Sequence, residues 1–355
     1  MKKEEFKTEI NRIRDSIGTL LEIRGVYYDG QNITILGSPW FPMEAWQEDV
    51  SSHLFDLGYE VRFEQNNGQT IMELSRIGKK VKLPFPWINL ILFFLTVLST
   101  FTVGAIMEHQ DIYKNPLLIY RGATFAVPLL LILLFHEFGH YIMSRRSRIK
   151  VSLPYFIPGP TILGTFGAII RSKSPFKNRK ELLDVGATGP MAGFVISVLA
   201  LAFGLATSQV VKEMPGQAII LGDSLAFKLI SLLVLKNPPE GYDVLLSPMA
   251  FAGWAGLLVT MLNLLPIGQL DGGHIAYALL GKKQKVMARI IILGLIPLGV
   301  FLWQGWLIWL VLAFIIRPAH PHTLNDSIPL DNKRKMVGWI SLLIFILCFS
   351  PVPIK

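Results

Sequence analysis

The sequence is poor in cysteine and in charged residues, and each scarcity excludes a class of protein. Cys348 is the only cysteine among 355 residues, so no disulfide can form within the chain and redox chemistry by a cysteine pair is excluded. Charged residues make up 17% of the chain, hydrophobic residues make up 52%, and the mean hydropathy is +0.47. Soluble domains carry about 25% charged residues, so the composition predicts a protein with several membrane spans.

The first 83 residues differ in charge from the remainder. They contain 13 acidic and 11 basic residues, whereas the rest of the chain contains 12 and 23. Hairpin turns are indicated at Asp29-Gly30 and at Asn67-Gly68. A helix before them is indicated by apolar residues at helical spacing, namely Phe6, Ile10, Ile13, Ile17 and Leu21.

With a second helix over Met43–Leu57 between the two hairpins, the pattern predicts a small soluble α+β domain over 1–83, in the order αββαββ. Lys2-Lys3 is followed by an amphipathic helix rather than an apolar segment, so we expect no signal peptide. The domain carries no catalytic constellation. We expect it to be a cytoplasmic regulatory or docking domain.

Residues 84–355 read as an α-helical polytopic membrane domain with about six or seven transmembrane helices. Apolar runs near the ~20 residues that a bilayer requires define the candidate spans. These are 87–107, 122–143, 186–207, 248–265, 286–302, 304–317 and 336–352. The fifth and sixth are short, so the region 286–317 is either a helical hairpin or one broken helix.

The distribution of lysine and arginine predicts the orientation of these spans. Six of these residues lie in 108–121, 208–247 and the C-terminal end together, against 17 in 144–185, 281–289 and 317–335. By the positive-inside rule the three basic segments are cytoplasmic, which favours the hairpin and seven spans. It also places the N-terminal domain in the cytoplasm and 208–247 outside. Because the basic residues flank membrane spans, we expect anionic membrane lipids as partners and no nucleic acid.

A cluster of polar residues interrupts the apolar stretch LILLFHEFGHYIMSRRSRIK, residues 131–150. A charged side chain at the centre of a bilayer costs roughly 2.5–3.5 kcal/mol, so these residues need partners or a polar cavity. His136 and His140 are four residues apart and share one face of a helix, with Glu137 beside them. This is the H-E-x-x-H pattern, in which two imidazoles bind zinc and the glutamate transfers protons. The alternative is a pair of interfacial histidines directed at the lipid headgroups.

A catalytic zinc usually has a third protein ligand, and residues 261–274, MLNLLPIGQLDGGH, supply a candidate. Asp271 is the only acidic residue between Asp243 and Asp326. We expect Gly272-Gly273 to permit a backbone excursion after it, as in a broken helix that lines a cavity. Asn263 could donate a hydrogen bond to a developing oxyanion. The alternative is a polar loop in which Asp271 only caps the next helix.

Taken together, HEFGH and NLLPIGQLDGGH resemble the motifs of the site-2 protease family of intramembrane zinc metalloproteases. The resemblance extends to PYFIPGPTILGTFGAIIRSKSP (154–175) and DVGATGPMAGF (184–194), and covers most of residues 120–280. It favours the subgroup with an N-terminal soluble domain and a GTFGA motif. The PDZ insert of the bacterial envelope-stress branch is not evident.

The resemblance implies a role for each residue of the two motifs. His136, His140 and Asp271 would bind Zn²⁺, Glu137 would be the catalytic acid and base, and Asn263 would steady the substrate or the oxyanion. The implied substrates are transmembrane proteins, cleaved within or next to their membrane helices. The sequence does not specify which proteins these are, nor the oligomeric state.

Two glycine-containing segments lie between the motifs. Gly164-Thr165-Phe166-Gly167 begins a segment of strand character that could pair with an unwound substrate by main-chain hydrogen bonds, or could be a hairpin that only fills space. Gly186 and Gly189-Pro190 are expected to let the third span pack closely against the span that carries the histidines.

Two hypotheses of different classes remain, and they differ in the role of Glu137. The first is intramembrane proteolysis. The second is a non-catalytic membrane protein, either a metal transporter or a scaffold. The polar intramembrane groups cluster at one depth instead of lining a path across the membrane, which favours the protease.

Overall fold

The computed structural model describes the chain except for residues 1–9, 16, 29–31, 67–68, 77–85, 173, 213–219, 236–238, 240 and 355. Its described residues form two compact units. The first contains the described residues up to position 84, together with Pro175–Arg179 and His322–Pro329. The second contains the remainder, and most of it is helical.

The first unit is an antiparallel four-stranded sheet with two helices. Its elements are α1 (10–15), β1 (Leu21–Tyr28), β2 (Asn32–Pro39), α2 (Gln47–Asp56), β3 (Tyr59–Asn66) and β4 (Gln69–Arg76). The strand order is β1-β2-β4-β3, and alternate residues such as Ile33 and Ile35 point into the core because side chains alternate along a strand. The predicted αββαββ order of a small α+β domain is confirmed.

One detail of the first unit differs from the sequence prediction, and another predicted feature falls on residues that the structure does not describe. Leu21, expected on the first helix, is instead the first residue of β1. The predicted turn residues Asp29-Gly30 and Asn67-Gly68 fall outside the described residues, although the strands before and after each of these pairs are antiparallel neighbours. The regulatory or docking role of this domain stays a prediction.

The two later segments of the first unit contact each other and α2. Backbone N–H groups of Leu324 and Asn325 donate to the carbonyl oxygens of Phe176 and Lys177, at 3.0 and 2.8 Å. The Asn325 side chain also donates to Gln47 Oε1 at 2.6 Å. Hydropathy carries no signal for such contacts, so the sequence did not predict that these segments join the unit.

The second unit contains the apolar helices. They are α3 (Trp87–Met107), α4 (Ala123–Arg146), α5 (Arg179–Ala206), α6 (Leu225–Leu235), α7 (Pro248–Asn263), α8 (Asp271–Leu280), α9 (Gln284–Pro297), α10 (Gly305–Ile316) and α11 (Asn332–Cys348). Two short antiparallel strand pairs accompany them, β5 (Tyr155–Pro158) with β6 (Thr165–Ile169), and β7 (Gln209–Lys212) with β8 (Tyr242–Leu245).

Among the described residues, four helical segments are long and apolar enough to cross a membrane. They are Trp87–Met107, Pro116–Arg146, Arg179–Ala206 and Asp271–Leu302. The protein is therefore an α-helical polytopic membrane protein with a small N-terminal domain that contains a sheet.

Each of the seven predicted spans coincides with a helix, α3, α4, α5, α7, α9, α10 or α11. The sequence prediction missed α6 and the antiparallel pair of β7 and β8, all inside 208–247. At 1.5 Å per residue the 11 residues of α6 cover about 17 Å, roughly half of a bilayer core. Helices α9 and α10 contact each other across a turn at Trp303, as expected of a helical hairpin.

Helix α4 is the element around which the site is built. It contacts α3, α7 and the strand β6, and its residues Phe125, Leu129 and Leu133 are buried with Trp254 of α7. The packing is close because small residues line the helix contacts: a Cβ on Gly256 of α7 would lie 2.8 Å from the Ile132 side chain.

Candidate metal centre

The two histidines project from one face of α4. His136, Glu137 and His140 are at most 9% exposed, and they lie in the second half of the helix, before the basic residues that end it. The Nε2 atoms of the two histidines are 3.2 Å apart. This proximity follows from the helical repeat, because residues four apart lie one above the other.

Asp271 reaches the histidines from the first residue of α8. Its Oδ2 lies 3.2 Å from His136 Nε2, and its Oδ1 lies 3.3 Å from His140 Nε2. Among the described residues these three form the one cluster of histidine, cysteine and acidic side chains that could hold a metal ion.

The glycines after Asp271 act differently from the prediction. Gly272 and Gly273 are helical residues in the first turn of α8, so there is no backbone excursion after the aspartate, and that expectation is wrong. A Cβ on Gly272 would lie 1.9 Å from the Leu264 carbonyl oxygen, and one on Gly273 would lie 2.2 Å from that of Gly268. The irregular backbone instead lies before Asp271, in residues 264–270. Because neither glycine has a side chain, the first turn of α8 can pack directly against that segment.

The hydrogen bonding of His140 suits a cation. Its Nδ1 is 2.8 Å from the Val185 carbonyl oxygen, which accepts only, so Nδ1 carries the proton. In the neutral ring Nε2 then presents a lone pair toward His136 and the Asp271 carboxylate. A bare nitrogen and a carboxylate that face each other repel, and a divalent cation between them removes the repulsion.

The distances between the donor atoms fit the same interpretation. Tetrahedral zinc with ligand bonds of about 2.0–2.2 Å holds its ligand atoms about 3.3–3.6 Å apart. The two histidine Nε2 atoms are 3.2 Å apart, and each lies 3.2–3.3 Å from a different oxygen of the Asp271 carboxylate. With one ligand atom taken from each residue, the three atoms lie within 4.8 Å of one another, so all three groups can reach one metal ion.

Glycines of α5 make room for the imidazole rings. A Cβ on Gly189 would lie 2.1 Å from His140 Nε2, and one on Gly193 would lie 3.1 Å from His136 Nδ1. The expected close packing of Gly189 against the histidine-bearing helix is thus confirmed. Gly186, by contrast, packs against His274 of α8, with a Cβ separation of 2.8 Å.

Asn263, the last residue of α7, lies beside the same group. Its Nδ2 is 3.2 Å from His136 Nε2. The amide N–H can donate there only when His136 Nε2 carries its lone pair, which is also the state that a metal ligand requires. The structure thus brings five predicted site residues together, namely His136, Glu137, His140, Asn263 and Asp271.

The four residues predicted to bind substrate lie in the β5–β6 hairpin, outside the ligand group. Gly164 has φ +75° and packs on α3, where its carbonyl oxygen accepts from Ser99 Oγ at 2.6 Å. The Thr165 side chain is buried and donates to the Ile157 carbonyl oxygen of β5 at 2.8 Å. Phe166 is 68% exposed, whereas a Cβ on Gly167 would meet no atom within 4 Å.

An ion pair that the sequence analysis missed supports the start of α5. Arg334, in the first turn of α11, donates from Nε and Nη2 to the Asp184 carboxylate at 2.8–3.0 Å. Asp184 directly precedes Val185, whose carbonyl orients His140. Arg334 also donates hydrogen bonds to the Asp331 carboxylate, from its backbone N–H and from its guanidinium group. These bonds lower the pKa of Asp331 to about 2. Only the basic cluster at 333–335 marked this region in the sequence.

Comparison with known proteins agrees with the geometry. The family model of peptidase family M50 matches residues 124–301, half of the chain. The chain is 33% identical over 320 residues to "Probable zinc metalloprotease EGY1, chloroplastic" of Arabidopsis thaliana, covering 80% of this chain and 58% of that protein. It is 31% identical over 249 residues to the Arabidopsis protein of the same description named EGY2, covering 68% and 44%.

A rice relative, "Probable zinc metalloprotease EGY3, chloroplastic" of Oryza sativa subsp. indica, is 28% identical over 298 residues, covering 76% of this chain and 49% of that protein. The chain thus spans about half the length of the curated relatives that it matches. The family match contains both histidines and Asp271, which the structure brings within 4.8 Å of one another. The chain therefore belongs to peptidase family M50.

Proposed function

We propose that the protein is an intramembrane zinc metalloprotease that hydrolyses peptide bonds within or next to the transmembrane helices of membrane-protein substrates. The observation that carries the proposal is the convergence of His136, His140 and Asp271, whose ligand atoms lie within 4.8 Å of one another. The family membership and the names of the relatives support zinc as the metal.

Each polar residue of the site has a proposed task. His136, His140 and Asp271 would hold zinc, which supplies a Lewis acid that polarises a peptide carbonyl and makes water more acidic. Glu137 would accept a proton from the attacking water and return it to the leaving amine. The Asn263 amide would donate a hydrogen bond to the carbonyl oxygen as negative charge develops on it.

Metal analysis combined with a cleavage assay tests this function. We expect about one zinc per chain after gentle extraction, and cleavage of a reconstituted transmembrane substrate that is lost on chelation and restored by zinc. The triple variant His136→Ala, His140→Ala, Asp271→Ala serves as the metal-free control. Stoichiometric zinc in that variant would contradict the proposed metal site, and so would wild-type protein that contains no zinc. Zinc without cleavage would favour a transporter or a scaffold.

The β6 edge is the proposed binding place for the substrate backbone, at Gly164, Thr165, Phe166 and Gly167. Among the described residues its sheet has only two strands, so β6 has one edge without a strand neighbour. The same strand contacts α4, which carries the histidines. An extended peptide that pairs with this edge would gain main-chain hydrogen bonds without a demand for sequence.

Phe166→Ala tests whether the β6 edge binds substrate. Because the ring is 68% exposed, its removal should leave the fold and the zinc content unchanged. We expect KM to rise about 3–10-fold with little change in kcat, the signature of lost binding that is equal in the ground and transition states. Ile162→Ala, at 50% exposure in the preceding loop, is the matched control. Equal KM values for Phe166→Ala and the wild type would argue against the edge.

The charge asymmetry supports a proposed orientation, with the N-terminal domain and the 144–185 loop in the cytoplasm and 208–247 on the opposite side. Single cysteines at the exposed positions Lys150 and Lys212 allow a direct measurement. Lys150→Cys should react with an impermeant thiol reagent only from the cytoplasm, and Lys212→Cys only from the other side. The buried Cys348 of the wild type gives the background. The reverse labelling pattern would invert the proposed topology.

A further inference from the structure

A second pair of histidines lies next to the ligand group and has no task in the proposed mechanism. His274 Nδ1 is 2.6 Å from Nε2 of His320, which is 8% exposed. The pair joins α8, one turn beyond Asp271, to the segment that follows α10.

The separation of the two nitrogens identifies the contact as a hydrogen bond. Two nitrogens that ligate one zinc are held about 3.3 Å apart, so 2.6 Å is too short for a shared metal ion. His320 Nδ1 lies 2.5 Å from the Pro321 carbonyl oxygen and therefore carries a proton. In the neutral pair His320 Nε2 accepts, and His274 Nδ1–H donates to it.

His320 is held in place from two other directions. Its ring stacks on the buried Tyr277 ring with centroids 4.8 Å apart and an interplanar angle of 26°. Its backbone N–H donates to Gln284 Oε1 at 3.1 Å. The imidazole acceptor is thus pre-oriented before it meets His274.

Gln284 extends the network to the irregular segment before Asp271. This side chain is 1% exposed, and its Nε2 donates to the carbonyl oxygens of Pro266 and Pro318, at 3.3 and 3.1 Å. The backbone N–H of Gly268 also donates to the Pro318 carbonyl oxygen at 3.1 Å. The segment that separates Asn263 from Asp271 is therefore fastened to the same residues that hold His320.

We propose that His320 is a positioning residue, which acts through His274 and Gln284 to fix the rotation of α8 and the segment 264–270, so that Asp271 and Asn263 meet His136 and His140. His274 lies three residues after Asp271, so a constraint on its ring limits the rotation of the turn that carries the carboxylate. Partners one step beyond a ligand typically change metal affinity about 10–100-fold when they are removed. This inference rests on the proposed metal site.

Two substitutions at the same position separate the hydrogen bond from mere packing. His320→Gln places an amide oxygen near the position of Nε2 and keeps an acceptor for His274. His320→Asn reaches only the position of Nδ1, so it can retain the bond to Pro321 but not the one to His274. His322→Phe, two residues along the chain at a side chain 63% exposed, is the control for an unrelated histidine.

The experiment replaces zinc by Co²⁺ in the purified full-length protein and measures the visible absorption spectrum, the Co²⁺ affinity and the cleavage rate. We expect the wild type, His320→Gln and His322→Phe to share one spectrum and one affinity. His320→Asn should bind Co²⁺ at least about 10-fold more weakly, with a changed spectrum and a lower kcat. The thermal unfolding midpoint of each variant reports whether the fold is kept.

Each result decides the question. A wild-type spectrum and affinity in His320→Asn would overturn the positioning role while leaving the metal site intact. Equal losses in the Gln and Asn variants would also overturn it, because packing alone would then explain them. Wild-type protein that binds no Co²⁺ would overturn the metal site and this inference together.

Discussion

Glu137→Gln is expected to retain zinc and to lower the rate of peptide cleavage by about 10²–10⁴-fold, the usual contribution of general acid–base catalysis. The substitution preserves the size of the side chain, and the three proposed ligands remain in place. What is lost is the carboxylate that we propose accepts a proton from water and delivers it to the leaving amine. This variant should therefore keep its zinc content and lose its cleavage rate.

Zinc content and cleavage of one transmembrane substrate, measured in detergent, check this result. Asp271→Asn is the matched comparison, since it makes the same carboxylate-to-amide change at a proposed ligand. A neutral amide is a poorer zinc ligand than a carboxylate, so that variant should lose both metal affinity and rate. Wild-type cleavage by zinc-loaded Glu137→Gln would disprove the mechanism and favour the transporter or scaffold.

Gly189→Ala is expected to lower zinc affinity and cleavage by about 10–100-fold, although it adds a single methyl group. The added Cβ would lie 2.1 Å from His140 Nε2 and within 2.5 Å of two ring carbons. The ring cannot move aside without breaking the hydrogen bond from its Nδ1 to Val185. The methyl group therefore occupies the place of the ligand nitrogen.

Gly294→Ala is the control for the general effect of alanine in a helix. Gly294 lies in α9 and a Cβ there would meet no atom within 4 Å, so the substitution should be neutral or stabilise the helix by about 0.5–1 kcal/mol. Zinc content, cleavage rate and the thermal midpoint are measured for both variants. Wild-type zinc binding by Gly189→Ala would show that the two helices can separate and that the glycine is dispensable.

The predictions that the structure confirms depend on short-range periodicity. Apolar runs located α3, α4, α5, α7, α9, α10 and α11, because a bilayer-length helix needs a continuous apolar stretch wherever it packs. The pairing of His136 with His140 was predictable for the same reason, since a helix brings residues four apart to one face. The contact between α9 and α10 is compatible with the hairpin that the charge pattern favoured, and the number of spans there stays a prediction.

Glycine pairs show where a structural prediction from the sequence is ambiguous. A Gly-Gly pair is equally compatible with an irregular backbone and with close packing of regular elements, because both need the absence of a Cβ. At Gly272 and Gly273 the expectation of a backbone excursion was wrong. Both residues are helical, and the missing Cβ atoms make room for the carbonyl oxygens of Leu264 and Gly268 in the preceding segment. Only the packed structure distinguishes the two uses.

By itself, the sequence determined the membrane class, the positions of most of the apolar helices and the polar residues within their apolar stretches, since each depends on neighbours within a few positions. The tertiary structure alone decided which groups meet: Asn263 approaches His136 across 127 positions, and His140 donates to a backbone carbonyl that has no side-chain signature. The His274–His320 bond belongs to the same category. Periodicity specifies which face of a helix is polar, but the partner of that face is selected by how the helices pack.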